Sequence, residues 1–522
     1  MVGLEIATLI GVALFVGGAV AWRTRLPAPL VLLALGVALG FMPALGEVAL
    51  PPDVVLFLFL PALLYWEAIN TSVRELRRNL RVVLLSAIPL VVVTAGAVAL
   101  VGNLAMLAWP VAIALGAIVA PTDATAVGPV TGRLPRRFRT TLRAESLIND
   151  GTALTIYAIA VAAIAGGGDV DLGGGTLQFL RAYLGGILVG IAVAALALGA
   201  RRLVRGQTLL ENTVSVLTPL LAYLLAEQVK GSGVVAVVAC GLILTHFTPR
   251  SISARTRVQS QGFWQLASSV LNGTLFLLVG LQVHTVVDLL GDDPWPTIGL
   301  GLLVALVVVV VRLVWVNTTP YLIRALDRRP VQRTMRIPAR QRLVSGWAGF
   351  RGAVSLAAAL ALPEPEVIGI QYPRAELIAI TLVVIVVTLV VQGLTMPMVV
   401  RFARIPPDPS ELEEERLAER TITEAGATHL DRVAERLGTP EDVVERVRRQ
   451  YEESHAQSSH DGTGPAWAEG SEGELRRALI AKKREAVIRL RDTGDIDDTV
   501  LRRMQDRLDI EELRLSPIAA DD

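Results

Sequence analysis

The run Ala144-Glu-Ser-Leu-Ile-Asn-Asp-Gly151 is the densest chemistry in the chain. If helical, it places Ser146 and Asp150 four residues apart on one face, and Glu145 and Asn149 on a second face turned by about 100°. Two carboxylates, an amide and a hydroxyl then crowd the start of an otherwise apolar stretch, 153–165. An ionisable group at membrane depth costs about 2.5–3.5 kcal/mol on insertion scales, so such groups persist where something uses them. Carboxylate, hydroxyl and carbonyl oxygens suit a hard cation, and a buried carboxylate also takes up a proton. This helix therefore reads as half of an ion-binding site.

Three other stretches carry polar groups into apolar surroundings. Pro121-Thr122-Asp123-Ala-Thr125-Ala-Val-Gly128-Pro129 has two prolines, each removing a backbone donor. Carbonyls around Ala117 and Thr125 are expected to lose their partners there. Irregular backbone at that depth needs surrounding protein or a water-filled cavity. A proline-kinked packing helix with a snorkelling Asp123 is the bland alternative. Glu67, after Pro61, stands near the end of its apolar run and reads either as an interfacial carboxylate or as part of ion entry. Ser345-Gly-Trp347-Ala-Gly349-Phe350-Arg351-Gly352-Ala-Val-Ser355 has three glycines that permit close approach and local unwinding. Arg351 needs a counter-ion, and Glu145 is the expected one unless the guanidinium snorkels to the cytoplasmic loop. Arg312 is a second buried cation with no partner assigned from sequence.

The elements that hold these groups follow from composition. Of 522 residues, 52% are hydrophobic and 19% charged, a balance that excludes a single soluble domain, where charged residues make up about 25%. Apolar runs recur from residue 3 to 400, giving an all-α polytopic membrane protein of about 13 transmembrane helices. The spans that matter most are three (53–70), five (109–130), six (144–165), eleven (298–323) and twelve (343–362). Arg23 and Arg25 follow the first apolar run, 3–22, which lacks a basic leader and reads as a retained helix. A net charge of +1 gives no reason to expect nucleic acid, and the single Cys240 provides no disulfide framework or thiolate metal site.

Loops after odd-numbered spans carry arginine, such as Arg74, Arg77, Arg78 and Arg81, whereas loops after even-numbered spans hold Glu47, Asp169, Asp171 or Asp293. The bias puts the N-terminus outside and the C-terminus in the cytoplasm. After Arg401 and Arg404 the composition turns polar. Residues 1–402 read as the transmembrane domain and 403–522 as a charged cytoplasmic helical domain. Pro406, Pro407 and Pro409 form a hinge, Ser410-x-x-Glu413 a capping box, and Gly438-Thr439-Pro440 a stop, N-cap and first-turn proline. The linker 454–470 holds His455, His460 and Asp461, which read as solvated loop more readily than as metal ligands. No residue of the ion site falls in this tail.

Taken in order, Thr122-Asp123, Glu145-Ser146-x-x-Asn149-Asp150 and Phe350-Arg351-Gly352-Ala353-Val354-Ser355 resemble the cation:proton antiporters of the sodium/proton exchanger class. Asn149-Asp150 is similar to the asparagine–aspartate pair of the electroneutral branch. Asn272-Gly273-x-x-Phe276-x-x-x-Gly280-Leu281 and Ala222–Glu227 add to the likeness, which covers about residues 3–400. One departure is that the family has proline directly after the span-five aspartate, whereas here Ala124 follows and Pro121 precedes. The resemblance implies two inverted repeats, spans one to six and eight to thirteen, with broken spans five and twelve crossing at the midplane. It implies a homodimer whose core of spans four to six and eleven to thirteen moves. It implies Na⁺ ligation by Asp150, Asp123, Ser146 and Thr122, with Glu67, and a supporting network of Glu145, Asn149 and Arg351.

The expected activity is Na⁺ (or Li⁺) exchange for H⁺ across the plasma membrane, electroneutral and by alternating access, serving pH and sodium homeostasis. The partners are monovalent cations, protons and lipid; no cofactor and no enzymatic step are expected. A K⁺/H⁺ antiporter of the same fold and a cation channel are the rivals. An intramembrane aspartyl protease using Asp123 and Asp150 lacks the Gly-x-Gly-Asp context.

Overall fold

A computed structural model describes residues 2–42, 52–123, 135–166, 172–290, 293–326, 338–406, 409–456 and 470–515, and these are helical throughout, joined by short turns. Thr125, Gly128 and Pro129 of span five, and His460 and Asp461 of the linker, lie outside them. Eight described helices are long and apolar enough to cross a membrane, and four shorter apolar ones accompany them.

The N-terminal half comprises α1 (Val2–Thr24), α2 (Ala28–Gly40), α3 (Leu60–Ile69, entered through a π-helical turn Val55–Phe59), α4 (Val73–Leu104), α5 (Trp109–Val119) and α6 (Arg136–Gly166). Then come α7 (Leu172–Leu203), α8 (Thr208–Gln228), α9 (Gly233–Ser251), α10 (Ala254–Leu289) and α11 (Trp295–Leu326). The last apolar elements are α12 (Ala339–Trp347), α13 (Ala353–Leu360), α14 (Arg374–Val387) and, after a second π-turn, α15 (Gly393–Ala403). Several helices outrun their apolar stretches; α6 starts at Arg136, well before 144. Hydropathy marks only the lipid-facing length, while the backbone ladder continues into water wherever side chains allow it.

In lipid the attraction between helices is packing, so close backbone approach decides which ones pair. Gly36 of α2 and Gly280 of α10 face each other's helices, and a methyl on either would collide with the opposing backbone carbonyl, of Leu277 or Leu33. Gly186 and Gly190 do the same for α7 against α9. Gly116 brings α5 against the Ala95 carbonyl of α4. Around α5, the buried residues of α10, α11, α13 and α14 form one continuous core that includes Leu115, Ile118, Phe276, Val308, Leu356 and Ile380.

Four polar helices follow: α16 (Pro409–Leu437), α17 (Glu441–Ala456), α18 (Ser471–Thr493) and α19 (Asp498–Arg514). Val487, Ile496, Val500 and Met504 form part of a small core with Ala418. Two cap expectations need correction. Pro409 is already helical, so Ser410 stands inside the first turn rather than capping it. Gly438 takes the left-handed conformation that ends α16 (φ +63°), but the Thr439 hydroxyl makes no hydrogen bond.

These helices dock on ends of α3, α4, α6 and α10 through charge. Arg136 donates to both oxygens of Glu414 at 2.8 and 2.9 Å and to Glu75 at 3.1 Å. Arg257 grips Asp509 at 2.6 and 2.8 Å. Ser72, the N-cap of α4, donates to Asp497 at 2.6 Å.

Candidate functional site

The site is built where two helices stop. α5 ends at Val119 two residues before Pro121, which cannot donate to continue the ladder. α12 ends at Trp347 and α13 resumes at Ala353, leaving 348–352 extended or turned. The two breaks satisfy each other. The Asp123 N–H donates to the Phe350 carbonyl at 2.8 Å. The Arg351 guanidinium donates to the Val119 carbonyl at 2.9 Å, to Ala120 at 3.5 Å and to Gly349. The carbonyls of Val119, Ala120 and Thr122 thus take non-helical partners, while that of Ala117 loses its usual donor at Pro121.

Helix α6 runs beside this crossing, and its two polar ladders separate. Ser146 donates to the freed Thr122 carbonyl at 2.9 Å. The Asn149 amide oxygen meets the Thr122 hydroxyl at 3.2 Å, and its nitrogen turns to the carbonyls of Glu145 and Ala87, both at 3.2 Å. Asn149 thereby ties α6 to both α4 and the broken segment. Asp150 remains with Ser146 on the other face.

That face opens on a cavity of about 40 Å³, room for a small ion and little more than one water. Thr122, Asp123, Ser146 and Asp150 line it, and so does Glu67 from α3. Glu67 thus stands with the other two carboxylates rather than at an isolated interface. Asp123 lies against Gly352: a methyl there would sit 2.8 Å from the Asp123 Cβ and collide with its carboxylate. Two further polar side chains, Asn272 of α10 and Ser355 of α13, complete the wall. Both lie within the quoted motifs, but spacing alone did not show which residues of those motifs face inward.

The charge pairing differs from expectation. Glu145 pairs with Arg312 of α11, Oε1 to Nη1 at 2.6 Å, not with Arg351. Both members are buried, the Arg312 side chain 2% and the Glu145 side chain 9% exposed. Arg312 also donates through Nε to the Ser345 carbonyl at 3.2 Å. Gly349 makes the arrangement possible, because a methyl there would fall 2.5 Å from Arg312 and 3.0 Å from Arg351. Arg351 is occupied by carbonyls that the broken helix leaves without partners, which satisfy a guanidinium without a second carboxylate. The sequence signal for this pairing was Arg312 itself, a cation in an apolar run that required a buried anion.

The sequence and the fold have counterparts among known proteins. Residues 10–402 match the family described as sodium/hydrogen exchanger, transmembrane. A protein named as an uncharacterized Na(+)/H(+) exchanger of Mycobacterium tuberculosis is 41% identical, covering 98% of this chain and 96% of its own length. The Na(+)/H(+) antiporter ApNhaP of Aphanothece halophytica is 30% identical over 83% of this chain and 79% of its own. The solved structure of the sodium proton antiporter MjNhaP1 from Methanocaldococcus jannaschii at pH 8 superposes with a TM-score of 0.60 at 20% identity, covering 77% of this chain and all of that one.

Proposed function

The chain belongs to the sodium/hydrogen exchanger family, and from that premise we propose that it exchanges Na⁺ or Li⁺ for H⁺, one for one, across the plasma membrane. The observation carrying this reading is the single small cavity that gathers Asp150, Asp123, Glu67, Ser146 and Thr122 between α3, α5 and α6. Its oxygen donors suit a small monovalent cation and its carboxylates suit protons. A bare anionic cluster is costly to carry past the membrane barrier. Either a cation or a proton neutralises the Asp150 carboxylate, and only then does the core move between the two sides. Competition for one site couples the two fluxes without a separate gate.

In this reading Asp150, Asp123, Ser146 and Thr122 ligate the cation, Glu67 lines its path, and Glu145, Asn149 and Arg351 hold the crossing in shape. The protein works as a homodimer, with the N-terminus outside and the C-terminus in the cytoplasm. Residues 1–402 transport, and 403–522 form a separate cytoplasmic domain. Its role is pH and sodium homeostasis. K⁺ is the second candidate cation, favoured by a Bacillus pumilus relative, 28% identical over 72% of this chain and 57% of its own length, named a sodium, potassium, lithium and rubidium/H(+) antiporter.

The test is proton movement in everted vesicles, followed with a pH-sensitive dye on addition of Na⁺, Li⁺ or K⁺. Wild-type protein should respond to Na⁺ and Li⁺. Asp150→Ala should respond to none, while inserting at normal levels. A wild-type response from that variant removes Asp150 from the site.

A further inference from the structure

A second cavity, of about 130 Å³, lies between the cytoplasmic ends of the membrane helices and α19. Tyr65 of α3, Asn70 just past its end, Arg201 of α7, Thr248 of α9 and Trp264 of α10 contribute to its walls, and Arg502 of α19 lines it too. Most charges around it are accounted for. Arg257 holds Asp509. Arg502 donates to the carbonyls of Ile69 and Asn70 at 3.3 and 2.9 Å, closing the end of α3. Asp498 accepts from the Arg74 N–H at 3.2 Å and stands 3.6 Å from Arg491. Asp506 lies among Gln261, Arg257 and Arg502.

Arg201 is different. It is 4% exposed, and among the described residues no carboxylate reaches it. Its partners are neutral: Nη1 reaches the Thr248 hydroxyl at 3.4 Å, the Tyr65 hydroxyl bonds both the guanidinium and Ser215, and Nε meets no acceptor. Glu211, a buried carboxylate of α8, accepts from the Gly206 N–H through Oε1 and lines a different cavity. A buried guanidinium without an anion carries an uncompensated desolvation cost.

We propose that this cavity binds an oxyanion of the phosphate class, free or carried on a lipid head group, with Arg201 as its principal ligand. The space equals the liquid share of about four water molecules, enough for a tetrahedral oxyanion and well below the about 300 Å³ at which cofactor-sized pockets begin. The guanidinium fork matches two of its oxygens, and the Thr248 and Tyr65 side chains line the same cavity. Bound there, the anion bridges α19 to α3 and α7, so it joins the C-terminal helices to the helix that carries Glu67.

The experiment uses the full chain in detergent and phosphate-free buffer at constant ionic strength. One arm titrates inorganic phosphate by calorimetry, and the other titrates a short-chain phosphatidic acid. Saturable phosphate binding identifies a free anion, and saturation by the lipid alone identifies a head group. Arg201→Gln should raise Kd about tenfold or more, since a charged hydrogen bond is lost. Arg201→Lys should retain part of the affinity. Thr248→Val, which keeps the arginine and its fold, should weaken binding by a smaller factor. Asp150→Ala should bind as wild type does. Absence of saturation in both arms, or wild-type affinity in both Arg201→Gln and Thr248→Val, overturns the assignment.

Discussion

The pairing of Glu145 with Arg312 predicts an asymmetric response to mutation. At 2.6 Å, with an effective dielectric constant of about 20, the two charges attract by about 6 kcal/mol. Removing one member of such a pair costs about 3–5 kcal/mol, because the other charge stays buried. Glu145→Ala should fall at the upper end. It leaves Arg312 with the Ser345 carbonyl and removes the carboxylate that offsets the second guanidinium, Arg351, just across Gly349. Arg312→Ala should cost less, about 3 kcal/mol, since Arg351 remains close enough for Glu145 to lean toward. The double variant should cost less than the sum, with a coupling of about 2 kcal/mol or more. Unfolding in a mixed mild-detergent and SDS titration measures all four corners, and a parallel cycle pairs Glu145 with Arg351. Additivity in the Arg312 cycle, or a larger coupling in the Arg351 cycle, would refute the pairing.

Three other outcomes follow from the same geometry. Gly352→Ala should slow exchange or raise the cation KM about tenfold while leaving the fold intact, because overpacking of about 1–3 kcal/mol displaces the whole Asp123 side chain; unchanged kinetics would mean that Asp123 is free to move without consequence. With Asn149 unable to titrate and Glu145 held by Arg312, Asp150 alone should trade one proton for one cation, so a valinomycin-imposed potential should not drive Na⁺ uptake into liposomes at zero pH gradient; uptake that scales with the potential would point to a second titrating acid among Asp123 and Glu67. At the docked tail, burial alone would raise Asp497, but the Ser72 hydroxyl, the Thr499 N–H and Arg136 hold its carboxyl below the usual range. Its stabilising contribution is therefore complete above about pH 3.9 and is lost only as pH falls through the lowered value. Hydrogen exchange of α19 should thus be the same at pH 6 and 8 once corrected for intrinsic rates, and a strong change between them would show that another group governs docking.

The polar ladder of α6 was legible in the sequence because helical spacing assigns Ser146 and Asp150 to one face and Glu145 and Asn149 to another before any contact is known. The break after Val119 was legible because Pro121 lacks a donor, and the membrane class because apolar runs of spanning length recur. Sequence similarity then identified the family. What spacing along one helix cannot express is the depth and azimuth of other helices around it. Arg312 and Arg351 are both cations in apolar runs, and either satisfies Glu145 on paper. The choice fell to Arg312 because Gly349 lets α11 approach closely, while the carbonyls of Val119 and Ala120, freed by the break in α5, absorb Arg351. In the same way, Glu67 near the end of its span joined the cavity, and Asn272 and Ser355 entered its wall, only when α3, α10 and α13 packed against the crossing. Covalent spacing determined which groups are available on each helix; packing between helices, set by where glycine permits backbones to meet, decided which of them share a site.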